Sequence, residues 1–254
     1  MAPVTQAITR VLVTGFGPFG TVDINPSFAI AQSLPATLPG NIEILVHPTA
    51  IPVAYHPTIE TVPQLVSSLQ PDISLHIGVA EGRQYFAVEQ TSERGFFDLI
   101  EDVDGQVFTE AESEALWADL PQLLSTELDL NATVEKWTQR TAGFEWPFPN
   151  RGGWRREEGG VKVAVEQDVL APLRELQSIQ DDEVRWSDAV GIYLCGFIYY
   201  AALAEAETAG KSGDRDVAFM HVPMLRGEEE ISLGVDVTVE LIHSLVETWR
   251  EGRE

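Results

Sequence analysis

Val11-Leu12-Val13-Thr14-Gly15-Phe16-Gly17-Pro18-Phe19-Gly20 is a short apolar run that breaks into glycines and aromatics, and Asn25-Pro26-Ser27 follows closely. The run reads as a buried strand. Asn25 reads as the cap of a helix over residues 27–34, with Pro26 at the first position, where a missing N–H costs nothing. Downstream, Ile42 to Val46, Ile73 to Val79 and Gln84 to Glu89 read as further strands. A helix falls within 57–69, with Pro63 expected to start or kink it. This β-α-β-α-β order predicts an α/β fold: an open, mostly parallel sheet with helices on both faces.

The pattern then changes. Residues 98–135 hold eleven acidic residues and no Lys or Arg, and 140–160 are rich in Trp, Pro and Gly without a clear period. We read about 100–160 as an insertion or lid within a single domain, partly helical near 111–124. The plainer reading is a solvated acidic loop. Regular structure is expected again from Val161: a helix around 167–179, a strand at Val184 to Trp186, and a helix opening near Gly191. A strand at Asp216 to Met220 and a long amphipathic helix over 228–250 complete the chain.

Sixteen Lys and Arg against forty Asp and Glu give the 254 residues a formal charge of -24. A nucleic-acid binder needs a basic face, and anionic lipid needs the same, so neither partner fits. The single cysteine, Cys195, excludes an intrachain disulfide and a thiolate-only zinc cluster. The first ten residues lack the apolar core of a signal peptide, and no apolar run approaches the roughly 18 residues of a spanning helix. A cytosolic protein is the expectation.

Two motifs mislead. Gly15 to Gly20 fits G-x-G-x-x-G after a strand. A dinucleotide turn, however, runs directly into its helix, whereas Thr21 to Asn25 intervene here and Pro18 removes an amide. What remains unexplained is why Phe16 and Phe19 sit at the carboxyl end of a strand, where two rings could grip a small flat group. The acidic stretch Glu101 to Gly105 suggests calcium, but placing Gly105 at loop position six puts Ile100 and Ala111 where oxygen ligands belong.

Cys195 lies near the start of a helix that follows a strand. Free N–H groups there favour a thiolate, so a lowered thiol pKa is expected, although a free Cys is also commonly a buried, inert residue. His221 ends a strand at the carboxyl edge of the sheet, where a general base could face Cys195. His76 is mid-strand and reads as a core residue; His47, His56 and His243 read as loop or structural positions. Glu89 closes its strand and is a candidate for orienting an imidazole, although position alone does not single it out among forty acids.

Taken together these blocks resemble the pyroglutamyl peptidase I family, cysteine peptidases that remove an N-terminal pyroglutamate. The resemblance rests on Thr14 to Gly20 with Asn25-Pro26-Ser27, on His76-Ile77-Gly78-Val79 with Gly82-Arg83 and Glu89, and on Ser187 with Gly191 to Cys195 and Tyr199-Tyr200. His221-Val222-Pro223 is the last block. It implies an α/β/α sandwich, with Cys195 as nucleophile, His221 as general base, Glu89 as the acidic member, and Phe16 and Phe19 packing on the pyroglutamyl ring. It implies peptide substrates with an N-terminal pyroglutamate and no cofactor or metal. Val190 stands where the family usually has Ala, and Gly196 where a polar residue is common. A related hydrolase acting on a different blocked N-terminus, or an acidic scaffold with vestigial chemistry, would share these blocks.

Overall fold

A computed structural model describes residues 7–145, 184–209 and 214–253. Seven strands form one sheet in the order β2 (Thr37–Leu38), β3 (Ile42–Val46), β1 (Thr9–Gly15), β4 (Ile73–Val79), β9 (Val217–Val222), β5 (Phe86–Glu89), β8 (Val184–Ser187). β3, β1, β4 and β9 run parallel. β2 is an antiparallel edge, and β5 runs antiparallel to β9 but parallel to β8. A separate ribbon pairs β6 (Thr91–Glu93) with β7 (Leu123–Ser125). The expected three-layer sandwich is present, with the sheet mixed where β5 and β8 reverse.

Six described helices cover the two faces. On one side lie α1 (Pro26–Ser33), α4 (Leu130–Thr141) and α6 (Glu228–Glu251), and on the other α2 (Tyr55–Leu69), α3 (Glu110–Trp117) and α5 (Leu194–Ala209). Strand alternation assigns the faces. Val11, Val13, Leu75, Ile77, Met220 and Val222 point toward α1, α4 and α6, whereas Leu12, Phe219 and Val217 point toward α2, α3 and α5.

Residues 100–145 do not hang free. α4 packs on α6 with Trp137 completely buried, its indole N–H donating to the Val237 carbonyl at 2.9 Å. α3 is shorter than expected and closes with Trp117 buried against Phe197 and Tyr200 of α5. Thr109 and Glu112 start α3 as a reciprocal cap. The rest of the expected lid, and the helix expected over 167–179, lie outside the described residues.

Pro63 sits inside α2 rather than starting it. The N-terminus of that helix has no cap from its own neighbours. Asp102 Oδ2 accepts the Tyr55 N–H at 2.9 Å, while Oδ1 accepts from the Asp104 and Gln106 amides. The acidic stretch is thus a loop organised around one carboxylate that caps a distant helix. Among the described residues no helix is long and apolar enough to cross a membrane.

Candidate active site

The same alternation that builds the core brings the reactive side chains to one face. In the parallel β4–β9 pair, Gly78 is directly opposite His221, and His76 is opposite Phe219. In the antiparallel β9–β5 pair, Ala87 is opposite His221 and Glu89 opposite Phe219. His76, Gly78, Glu89, Phe219 and His221 therefore all project toward α5. Because β5 reverses, the loop that leads into it, residues 80–85, hangs at the carboxyl edge beside His221.

Glu89 is fully buried and His221 nearly so. Glu89 Oε1 lies 2.7 Å from His221 Nδ1 and 2.6 Å from Arg83 Nη1. Its other oxygen accepts the Ala189 N–H at 2.9 Å. Burial would push the carboxyl pKa up; the hydrogen bond to His221, and then the charge and hydrogen bond of Arg83, outweigh it and hold Glu89 down to about 2. An ionised carboxylate only accepts, so Nδ1 carries the hydrogen and Nε2 keeps its lone pair. Burial lowers the pKa of His221 below its ordinary value, Glu89 opposes that shift, and Arg83 adds to it.

Cys195 is the second residue of α5, partly exposed. Its position is defined by what is missing opposite it. A Cβ on Gly78 would stand 2.7 Å from Cys195 Sγ and 2.7 Å from the Phe219 ring. Only a hydrogen at this strand position lets the sulfur settle over the sheet, one strand away from His221. Gly196 does the equivalent for the helix start, because a Cβ there would meet the Gly191 carbonyl oxygen at 2.1 Å. This accounts for a glycine where a polar residue is common.

The expected low thiol pKa is not found. Burial pushes the thiol up to about 12, Glu89 pushes in the same direction, and Arg83 opposes. Burial thus favours the neutral thiol of Cys195 and the neutral imidazole of His221.

Phe16 lies in the core, only 3% exposed, with its N–H held by Ser27 Oγ at 2.9 Å. Phe19 is half-buried and packs, like Tyr193 and Cys195, on the core cluster of that face. Asn25 ties the loop together, donating to the Gly17 carbonyl and accepting from the Ser27 amide and hydroxyl. The N-terminal end of α1 is therefore capped from within the chain, which agrees with rejecting a dinucleotide at this turn.

The family model of pyroglutamyl peptidase matches residues 9–139, which include Phe16, Phe19, Arg83 and Glu89. The chain belongs to the pyroglutamyl peptidase family. It is 24% identical over 216 residues to the pyrrolidone-carboxylate peptidase of Pyrococcus furiosus, covering 85% of this chain and 81% of that one. To human pyroglutamyl-peptidase 1 it is 27% identical over 221 residues, covering 87% and 81%. A crystal structure of pyrrolidone carboxyl peptidase from Pyrococcus furiosus shares the fold, with a TM-score of 0.67 and 21% identity, covering 94% of this chain and 99% of that one.

Two residues gain weight only from the structure. Gly78 stands in the sequence as an isolated glycine inside a strand, a signal of close approach that points to no partner. Arg83 follows a glycine in a short loop, and nothing local says that it reaches both Glu89 and the segment before α5.

Proposed function

We propose that this chain is a cysteine omega-peptidase that hydrolyses the N-terminal pyroglutamyl group from peptides, with Cys195 as nucleophile, His221 as base and Glu89 as the acid that orients it. The observation that carries this reading is the buried 2.7 Å contact between Glu89 and His221 Nδ1, with the Cys195 sulfur settled over the neighbouring Gly78.

In this reading His221 Nε2 takes the thiol proton as Cys195 Sγ attacks the pyroglutamyl carbonyl. The tetrahedral intermediate collapses with cleavage of the C–N bond, and His221 returns the proton to the leaving amine. Water, deprotonated by the same imidazole, then hydrolyses the thioester and regenerates the thiol. Backbone N–H groups at the start of α5 would receive the oxyanion. Glu89 stays ionised throughout and stabilises the transient imidazolium. A pyroglutamyl ring has no charge and no free amine, so aromatic packing suits it better than an ion pair. Phe19 offers the accessible ring and Phe16 the buried backing. A lone free thiol as nucleophile fits a reducing compartment, the cytosol.

The test is release of a fluorogenic amine from a pyroglutamyl amide by the wild type and by Cys195→Ala. Activity in the wild type and a loss of at least about 10³-fold in C195A is the expected result. A folded wild type without activity would overturn the substrate assignment.

A further inference from the structure

Arg83 holds a place that neither the acid–base pair nor the nucleophile requires. Its Nη1 donates to Glu89 Oε1 at 2.6 Å, the same oxygen that accepts from His221 Nδ1. Its Nη2 donates to the Ala189 carbonyl at 2.6 Å, and the Ala189 N–H returns to Glu89 Oε2 at 2.9 Å. Guanidinium, carboxylate and the Ala189 backbone close a ring. That ring fastens the segment entering α5, and so the approach to Cys195, onto β5. The guanidinium also stands 5.6 Å from the centre of the Tyr85 ring. Most of the side chain is shielded from solvent, so its charge is weakly screened.

The second consequence is electrostatic. Arg83 Nη1 lies 3.4 Å from His221 Nδ1. Both atoms carry hydrogens directed at the same carboxylate oxygen, so the guanidinium opposes a second positive charge on the imidazole. Among the described residues, His221 meets Glu89 from β5 and Arg83 from the loop before it, while Cys195 from α5 over Gly78 and His76 two residues down β4 lie on the same face. Burial holds His76 down to about 4, so it stays neutral. Arg83 is the permanent cation of the set.

We propose that Arg83 is a positioning residue with two tasks: it fastens the approach to Cys195, and its charge favours a neutral His221 and an ionised Cys195. This rests on the peptidase reading above. Removing the charge makes the imidazolium easier and the thiolate harder to form. The first shift carries the acid limb of activity, set by an imidazole that must be neutral to act as base, to higher pH; the second lowers the thiolate fraction of Cys195 and so slows its alkylation at a fixed pH.

The experiment compares wild type, Arg83→Gln and Arg83→Lys in two ways: kcat/KM against pH on the pyroglutamyl amide, and the pH dependence of iodoacetamide alkylation by intact mass. Cys195 is the only cysteine, so the second readout needs no activity. R83Q is expected to move the acid limb up by about one pH unit and to slow alkylation at pH 8 about tenfold. R83K keeps the charge but cannot bridge Glu89 and Ala189 together. Its limb and alkylation should stay close to wild type while kcat/KM remains about tenfold low. Equal losses in both variants with unmoved profiles would overturn the electrostatic task, and so would a limb moving down.

Arg83→Met replaces R83Q should the latter not fold. Failure of both neutral variants to fold, with R83K folded, would make Arg83 structural and overturn the proposal. A wild type that does not cleave the amide, with the alkylation shift present, removes the peptidase reading and keeps this one. An active wild type without the shift does the reverse.

Discussion

On the side covered by α1, α4 and α6, the strands contribute Val11, Val13, Leu75, Ile77, Phe86, Val88, Met220 and Val222. On the opposite side the same strands contribute Thr14, His76, Gly78, Glu89 and His221 among Leu12, Val217 and Phe219. Alternate residues of one sheet thus build two different environments. The first face is apolar packing, whose worth scales with buried area. The second carries an ionised carboxylate, two imidazoles and a gap sized for a sulfur, each costly to bury without its partner. The rigidity of the first is what allows the second to hold groups that do not favour burial.

The comparison can be broken from either side. The largest effect is expected on the packing face. Trp137→Ala removes a fully buried indole and should cost about 3–5 kcal/mol of stability by urea unfolding. At temperatures where W137A is folded, kcat/KM and its pH profile should match wild type; a displaced profile would show that the two faces are coupled. Next comes Gly78→Ala, which adds one carbon 2.7 Å from Cys195 Sγ. Displacing the sulfur should lower kcat/KM about 10²-fold, with a much smaller change in melting temperature. Full activity in G78A would mean that the sulfur does not need this position.

The smallest effect concerns His76. Its Nδ1 meets Thr14 Oγ1 at 2.7 Å, while its Nε2 is buried without a partner. Burial lowers its pKa from 6.5 to about 4. The unfolded chain then binds a proton that the folded chain refuses, so stability falls as pH drops from 6.5 and levels near 4. Between pH 7 and 5 this amounts to about 2 kcal/mol. His76→Gln should flatten that part of the urea midpoint against pH. An unchanged slope would assign the loss to other groups. Glu89, held down to about 2, contributes stability above its ordinary value near 4.5 that is lost as pH falls through 2.

Much of this was legible in the sequence. The strand over Ile73 to Val79 is legible with both of its ends, and the helix beginning at Pro26 follows from its cap. Glu89, Cys195 and His221 were set side by side by the resemblance, and the structure brings them to one face. The reversal of β5 was missed, although its signal was present: six residues cannot supply the long crossover that a parallel neighbour requires. The plainer reading of the segment after residue 100, a solvated acidic loop, overlooks Trp117 and Trp137, which are core residues beneath its acidic surface. The thiol pKa is not legible in the sequence, because a helix start is a local feature while desolvation depends on everything packed around the sulfur. Arg83 was invisible in role for the same reason, since its partners at 89 and 189 meet only in the folded chain.

One feature of the sheet bears on the life of the chain before it is complete. β9, which carries His221, lies between β4 and β5, two strands made more than a hundred residues earlier. During synthesis these two strands must stay apart, or keep open edges, until the last strand slides between them. In the proposed mechanism Cys195 has no base before then, because His221 arrives with that strand. On that reading assembly order acts as a safety catch: a nascent chain carries Cys195 without the base that would activate it.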